Sequence, residues 1–317
     1  MKYLIIGAGG TGGVVGFHMA QAGKDVTLIA RDAHLESIQQ KGLTLQTMWD
    51  ENTKTIPVKA SDMQHYKDRP DVILVCVKGY SLDGIYKFIR RIAKPQTIVI
   101  PILNIYGTGA KMQEKLPGML VTDGCIYVSA NIKEPGVILQ HGKILRIFFG
   151  VHQKEEKCQL LEQIQKDFRD SAIDGILSEQ IQRDALEKFS YVSPIGAAGL
   201  YLNATAGDFQ KEGKARELFC TMIREIVALA MAMGFPFEKD MVSVNLQILS
   251  NLPPEATTSM QRDVMAHRPS EVDGLVYEVV RMAHRYQVPV PAYEKVAQKL
   301  QGEIMCEKIL TQKEMWR

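Results

Sequence analysis

Apolar residues keep two rhythms along this chain. In the first half they gather into short runs divided by glycine, proline and charged residues. These are YLII at 3–6, DVTLIA at 25–30, DVILVCVKG at 71–79, TIVIPILN at 97–104 and MLVTDGCIYVSA at 119–130, then GVILQ and KILRIFFG. The two near-continuous runs, DVILVCVKG and TIVIPILN, predict central parallel strands buried on both faces, whereas the last segments predict an antiparallel extension. After about residue 155 the strand signals stop, and EEKCQLLEQIQKDFRDS predicts a helix that closes a first domain. From 179 onward apolar positions recur at three- and four-residue spacing. They predict helices over 181–202, 208–233 with Gly234 as stop, 238–250, 255–267, 271–286 and 291–309. The expected fold class is α/β: an α/β domain over 1–178, followed without a Gly/Ser-rich linker by an all-helical domain over 179–317.

The first strand runs into GAGGTGG, where Gly7, Gly9 and Gly12 give G-x-G-x-x-G, and the helix that follows stops at Gly23. In this strand–turn–helix–strand setting the motif predicts a dinucleotide site in a Rossmann-type domain. The first glycine permits the turn, the second lets the backbone approach a pyrophosphate, and the third lets helix and strand pack closely. The phosphates sit on free N–H groups of Gly10, Thr11 and Gly12 at the positive helix end. At the end of the second strand, where NAD enzymes place Asp or Glu, the chain has Ala30 and Arg31. A guidanidinium there pairs with a 2′-phosphate, so NADPH is the expected cofactor, although Asp32 keeps NAD open. Lys78 and Asn104 close two further strands at the edge where ligands bind in open α/β sheets; polar capping of strand ends is the alternative for each.

Composition narrows the class. The chain has 317 residues, 46% hydrophobic and 23% charged, with a net charge of +2 and no Lys/Arg-rich block, which argues against a nucleic-acid partner. The longest apolar run, IVALAMAMGF at 226–235, is too short for a bilayer, and MKYLIIGAGG reads as strand and turn instead of a signal peptide. The five cysteines (Cys76, Cys125, Cys158, Cys220 and Cys306) form no CxxC pair. Reduced thiols in a cytoplasmic protein with no metal site are expected.

In the helical half, EKFSYVSPIG places Lys188 on one stripe with Val192, Ile195 and Gly199. Taken alone, a lysine there is explained by snorkelling. Ser259 and Glu271 lie twelve residues apart. Ser270 and Asp273 predict a capping box that leaves Glu271 in the first turn, a purely structural role; Ser259 alone reads as a helix-surface hydroxyl.

Taken in order, GAGGTGG, AR at 30–31, CVKGY around Lys78, LN at Asn104, KEPGVILQHG at 133–142, EKFSYVSPIGAAGLYLNATAGDF and SMQRDV…SEVDGLV resemble the ketopantoate reductase (2-dehydropantoate 2-reductase) family nearly end to end. The resemblance implies a Rossmann domain, a helical domain and an active site in the cleft between them, with NADPH reducing the 2-oxo acid ketopantoate to pantoate on the route to pantothenate. It implies Lys188 as catalytic lysine and Glu271 as the substrate-binding glutamate beside it in the catalytic pair. It implies Asn104 and Ser259 as substrate contacts and Lys78 as a cleft lysine. Gly7, Gly9, Gly10, Thr11, Gly12, Arg31, Lys78 and Asn104 are then the expected cofactor contacts. Ser193, small and near Lys188 on the same helix, is expected to meet substrate. An ammonium near the carbonyl oxygen stabilises charge developing on hydride addition and donates a proton, typically worth about 10²–10⁴-fold. The expected partner is a small 2-oxo acid, with neither membrane nor nucleic acid, and a homodimer is compatible with the sequence.

Departures from the family pattern cluster around the expected site. Val192 and Gly196 stand where asparagines commonly follow the lysine, Pro194 comes one turn early, and Ile105 and Tyr106 intervene after Asn104. They keep open the reduction of a different 2-oxo acid. Two other readings remain: a β-hydroxyacid or opine-type dehydrogenase, against which Val192 argues, and a non-catalytic NADP sensor with no need of Lys188 and Glu271 together.

Overall fold

The structure, a computed structural model, describes residues 1–153 and 158–314, with side chains through 302. Two compact units are present, Met1–Ala185 and Leu186–Arg317. In the first, the chain order is β1 (Lys2–Ile6), α1 (Gly10–Gln21), β2 (Asp25–Ile29), α2 (Asp32–Lys41), β3 (Leu43–Thr47), β4 (Thr53–Ile56), β5 (Lys59–Ser61), β6 (Val72–Val75), α3 (Asp83–Ile92), β7 (Ile98–Pro101) and α4 (Thr108–Lys115). Then come β8 (Leu120–Val121), β9 (Asp123–Tyr127), β10 (Ala130–Glu134), β11 (Val137–Gln140), β12 (Arg146–Gly150), α5 (Gln159–Asp170) and β13 (Asp174–Leu177).

A six-stranded sheet runs β5-β2-β1-β6-β7-β8, and every neighbouring pair in it is parallel. Its central strands β6 and β7 are apolar throughout, and β1 is so after Lys2, because both faces are covered. Ile5, Leu74 and Ile100 point to the face packed by α1 and α5, while Leu4, Ile6, Ile73, Val75 and Val99 point to the face packed by α3. This is the two-residue alternation of a strand serving two cores at once. The two segments expected as an antiparallel extension are so only in part: β11 pairs antiparallel with β10 and parallel with β3, and β12 pairs antiparallel with β9 and parallel with β13. Strand β13 corrects the expectation that strands end near 155. It is four residues long, with its first residue exposed, so it carries almost no pattern. Strands β3 to β5 also fall outside the segments that patterning predicts; they are short and mostly polar. The start of the helix expected from 155 lies partly outside the described residues.

The helical unit follows from α6 (Ile181–Leu202), which begins in the first unit, through α7 (Ala206–Gln210), α8 (Lys214–Ala232), α9 (Met241–Ser250), α10 (Ser259–Met265), α11 (Glu278–Tyr286) and α12 (Pro291–Glu314). The single helix expected over 208–233 is two, divided at Gly213, whose φ of 138° a helix cannot accommodate. Pro194 sits inside α6 and has no N–H to give the Ser190 carbonyl. Asn245 of α9 replaces that donor, its Nδ2 giving a hydrogen bond to Ser190 O at 2.9 Å. Cys76, Cys125, Cys158 and Cys220 are free thiols; Cys306 lies beyond the described side chains. Among the described residues no helix is long and apolar enough to cross a membrane.

Candidate active site

The parallel sheet gathers the expected cofactor contacts at one edge. The chain leaves β1 into the glycine turn, β2 into Arg31, β6 into Lys78 and β7 into Asn104, and these four strands are adjacent in the order β2-β1-β6-β7. All four connections therefore emerge at the same C-terminal edge. Gly7 turns with φ 103°, and the Gly7 and Ala8 N–H groups both donate to Ile29 O, at 3.2 and 3.1 Å. A Cβ at Gly12 would lie 2.0 Å from Gly7 O, so α1 presses on the turn as closely as a bare backbone allows. At Gly9 a Cβ would meet nothing within 4 Å. The first helical bond runs from Gly13 N–H to Gly9 O at 2.7 Å, so the N–H groups of Gly10, Thr11 and Gly12 precede the regular ladder. Bare backbone on an open side, with donors at the positive helix end, fits a pyrophosphate.

Arg31 stands one residue beyond β2, with its side chain 92% exposed and Nε 3.7 Å from Asp32 Oδ2. That loose pair leaves the guanidinium free to turn toward a ligand at the sheet edge. Lys78 is half-buried at the start of a 3₁₀ turn, Gly79–Ser81. Asn104 is half-buried in the loop between β7 and α4, where Tyr106 is buried and Thr108 Oγ donates to Ile105 O at 2.8 Å.

Two features of this unit escape the sequence reading. His34 on α2 accepts the Gly136 N–H at Nδ1 (3.0 Å), so its proton is on Nε2, which donates to Ala8 O at 2.8 Å. Only this neutral tautomer satisfies both contacts. It ties the glycine turn to the β10–β11 connection, and burial lowers its pKa, opposed by the bond to Ala8. Buried Asp123 and half-buried His152 form an acid–imidazole pair against the start of α4. No sequence spacing marks either feature, because each joins residues far apart in the chain.

In the helical unit Lys188 lies on α6 and is only 8% exposed, so little of it reaches water as snorkelling requires. Val192, one turn on, is half-buried. Gly196 faces α10: a Cβ there would lie 2.9 Å from Met260 Cε and 3.8 Å from Thr258 Oγ1. The space an asparagine would need at 196 is thus filled by a methionine methyl. Ser259, half-buried, is the first residue of α10. The capping box predicted at Ser270 and Asp273 is found instead at Thr258 and Gln261. Asp273 is engaged by Arg281, at 2.9 Å to each carboxylate oxygen. Glu271 precedes the helix, its carbonyl accepting the Leu275 N–H at 2.9 Å, and it is 4% exposed. A π-helical turn, Asp273–Tyr277, follows it, a local form that recurs at functional sites.

Ser193 is placed differently from the expectation of a substrate contact. It is 0% exposed, its Oγ lying 2.6 Å from Leu275 O and 2.5 Å from the Tyr293 hydroxyl. The carbonyl only accepts, so Ser193 donates to Leu275 O and receives the Tyr293 proton. The hydroxyl is committed inside the bundle, where it ties α6 to the π turn.

Known proteins match this arrangement over nearly the whole chain. Among curated relatives, the uncharacterized oxidoreductase YkpB of Bacillus subtilis is 22% identical over 95% of this chain and 98% of its own. The 2-dehydropantoate 2-reductase of Pyrococcus abyssi is 29% identical over 92% and 94%. The crystal structure of 2-dehydropantoate 2-reductase from Geobacter metallireducens superposes with a TM-score of 0.86 at 21% identity, covering 96% of this chain and 100% of that one. A ternary structure of D-mandelate dehydrogenase with NADH and anilino(oxo)acetate gives 0.84 at 19% identity, covering 95% and 98%. The family models for ketopantoate reductase PanE/ApbA and its C-terminal region match residues 3–154 and 180–303. The chain belongs to the ketopantoate reductase family of nicotinamide-dinucleotide-dependent oxidoreductases.

Proposed function

We propose that the chain reduces ketopantoate to pantoate with NADPH, as a cytoplasmic step of pantothenate biosynthesis. Residues 1–178 hold the cofactor and 179–317 supply the lysine. The observation that carries this reading is the burial of Lys188 on an otherwise apolar and small-residue stripe of α6. Burial keeps the ammonium from the screening of bulk water, so it acts more strongly on charge developing at an oxygen beside it. NADPH held at the glycine turn supplies the hydride. The first-turn N–H groups and Arg31 hold its phosphates, while Asn104 and Lys78 orient the reacting groups at the sheet edge. As negative charge grows on the substrate oxygen, the Lys188 ammonium stabilises it and transfers one proton, and the neutral amine regains a proton from water. Glu271 and Ser259 bind the polar groups of the substrate.

A second reading has a specific observation in its favour. Val192 and the Met260 methyl packed at Gly196 give the Lys188 helix a dry surface, which suits a 2-oxo acid lacking a terminal hydroxyl. NADPH oxidation with ketopantoate and with 2-oxoisovalerate decides between them. A site that hydrogen-bonds the hydroxyl should favour ketopantoate by up to about 10⁴–10⁵ in kcat/KM. Equal or reversed preference assigns another 2-oxo acid, and cofactor binding with no turnover of any 2-oxo acid rejects both readings. Lys188→Ala should lower kcat by about 10² or more with the fold and NADPH binding intact. Full activity in that variant would leave the lysine without a chemical role.

A further inference from the structure

Helix α4 begins without a cap of its own. Its N-cap is Gly107, at φ 72°, which has no side chain, and its first turn holds no acidic residue. The missing acceptor comes from another strand. Asp123, the first residue of β9, accepts the Gly109 N–H at Oδ1, 2.9 Å away. This approach requires glycine at 109, because a Cβ there would lie 2.2 Å from Asp123 Oδ1 and 2.3 Å from Thr122 O. On its other side, Asp123 Oδ2 lies 3.4 Å from His152 Nδ1, and Gln182 Nε2 lies 3.4 Å from the same nitrogen. Asp123 is itself 6% exposed. Burial raises its pKa, while His152 and the Gly109 N–H act to lower it.

An ordinary cap would come from the residue before the helix. Here that residue is in the left-handed region, so the loop trades its own cap for a tight turn immediately after Asn104, Ile105 and Tyr106. The Thr108 hydroxyl closes the turn on Ile105 O, and Asp123 fixes the next residue, Gly109. The loop bearing Asn104 thus depends on a carboxylate from β9 for its position. We propose that Asp123, oriented by His152, is a positioning residue that sets the Asn104 loop and through it the affinity for the 2-oxo acid. The proposal rests on Asn104 being a substrate contact.

The test is steady-state NADPH oxidation by the full-length chain, with ketopantoate or, if that is the preferred substrate, 2-oxoisovalerate. Asp123→Ala should raise the KM of the oxo acid by roughly 10- to 100-fold, since small misplacements of a binding group carry penalties of that order. Asp123→Asn, whose amide oxygen still accepts the Gly109 N–H, should recover most of the affinity. Asn104→Ala should raise KM comparably, and the double variant Asp123→Ala/Asn104→Ala should be little worse than either single one, because a misplaced amide has nothing more to lose. A purely structural cap would lower thermal stability and give independent, multiplying effects. Normal KM in folded Asp123→Ala beside a raised KM in Asn104→Ala overturns the positioning role and leaves the Asn104 assignment standing. Raised KM in Asp123→Ala beside normal Asn104→Ala kinetics overturns the Asn104 assignment and this proposal with it. Should Asp123→Ala not fold, Asp123→Ser, too short to reach Gly109, is read in the same way.

Discussion

Replacing Ser193 by alanine distinguishes a substrate contact from a tie inside the bundle. The hydroxyl is wholly buried, gives its proton to Leu275 O and receives that of Tyr293. Alanine removes one oxygen from a packed site and leaves the Tyr293 hydroxyl, itself fully buried, with no acceptor at that position. Leaving a buried donor unsatisfied costs about 1–3 kcal/mol. For a unit of this size that is a loss of roughly 3–12 °C in the Tm of its unfolding transition. Tyr293→Phe removes the same donor together with its need for an acceptor, so it should cost less. The double variant Ser193→Ala/Tyr293→Phe should be more stable than Ser193→Ala alone, since the orphaned hydroxyl is gone. Thermal denaturation monitored by far-UV circular dichroism, with NADPH oxidation on the same samples, gives both readouts. An unchanged Tm with a raised KM for the oxo acid would refute this reasoning and return Ser193 to the substrate.

Three further outcomes are expected. Arg31→Ala should weaken NADPH binding by about 1.5–3 kcal/mol, the scale of a hydrogen bond to a charged group, and leave NADH almost unaffected in a fluorescence titration; equal loss for both cofactors rules out the 2′-phosphate role. His34 has a folded pKa lowered from 6.5 by burial, so between the folded and unfolded values the unfolded chain binds more protons. Its stabilisation is therefore present above about pH 6.5 and lost as pH falls through the folded value; His34→Gln should flatten this part of a Tm-against-pH curve, and an unchanged curve would exclude the neutral tie to Ala8 and Gly136. Gly196→Asn, which restores the side chain common in the family, should destabilise by about 1–3 kcal/mol through contact with Met260 and be relieved by adding Met260→Ala; full stability in the single variant would show that the methionine simply moves aside.

Local rules made much of the fold legible. The apolar runs at β1, β6 and β7 mark strands covered on both faces, because a strand's side chains alternate and both sides need burial. The helix over 181–202 could be bounded from its period alone, and Gly23 and Gly234, at φ 74° and 85°, stop helices where glycine is the residue that tolerates the turn. Gly12 likewise announces its contact, the Gly7 carbonyl within the same strand–turn–helix unit, whereas a Cβ at Gly7 would meet the backbone of Cys76 in the segment after β6. Local rules failed where a strand too short to carry a pattern relied on pairing with a distant strand, as in β13, or where one glycine divided a continuous apolar pattern, as at Gly213.

For the candidate site the division falls between which residues are present and what each side chain touches. The sequence alone marks the glycine turn, Arg31 at the end of β2 and a lysine on an apolar stripe, because motif, order and period are properties of the chain. Only the tertiary structure decides that Lys188 is buried, that the hydroxyl of Ser193 is committed to Leu275 and Tyr293, and that Met260 fills the space beside Gly196. It alone joins Asp123 to Gly109 and His34 to Ala8, contacts spanning 14 and 26 positions. A buried hydrogen bond is set by where two elements pack, and no local pattern in either element carries that information.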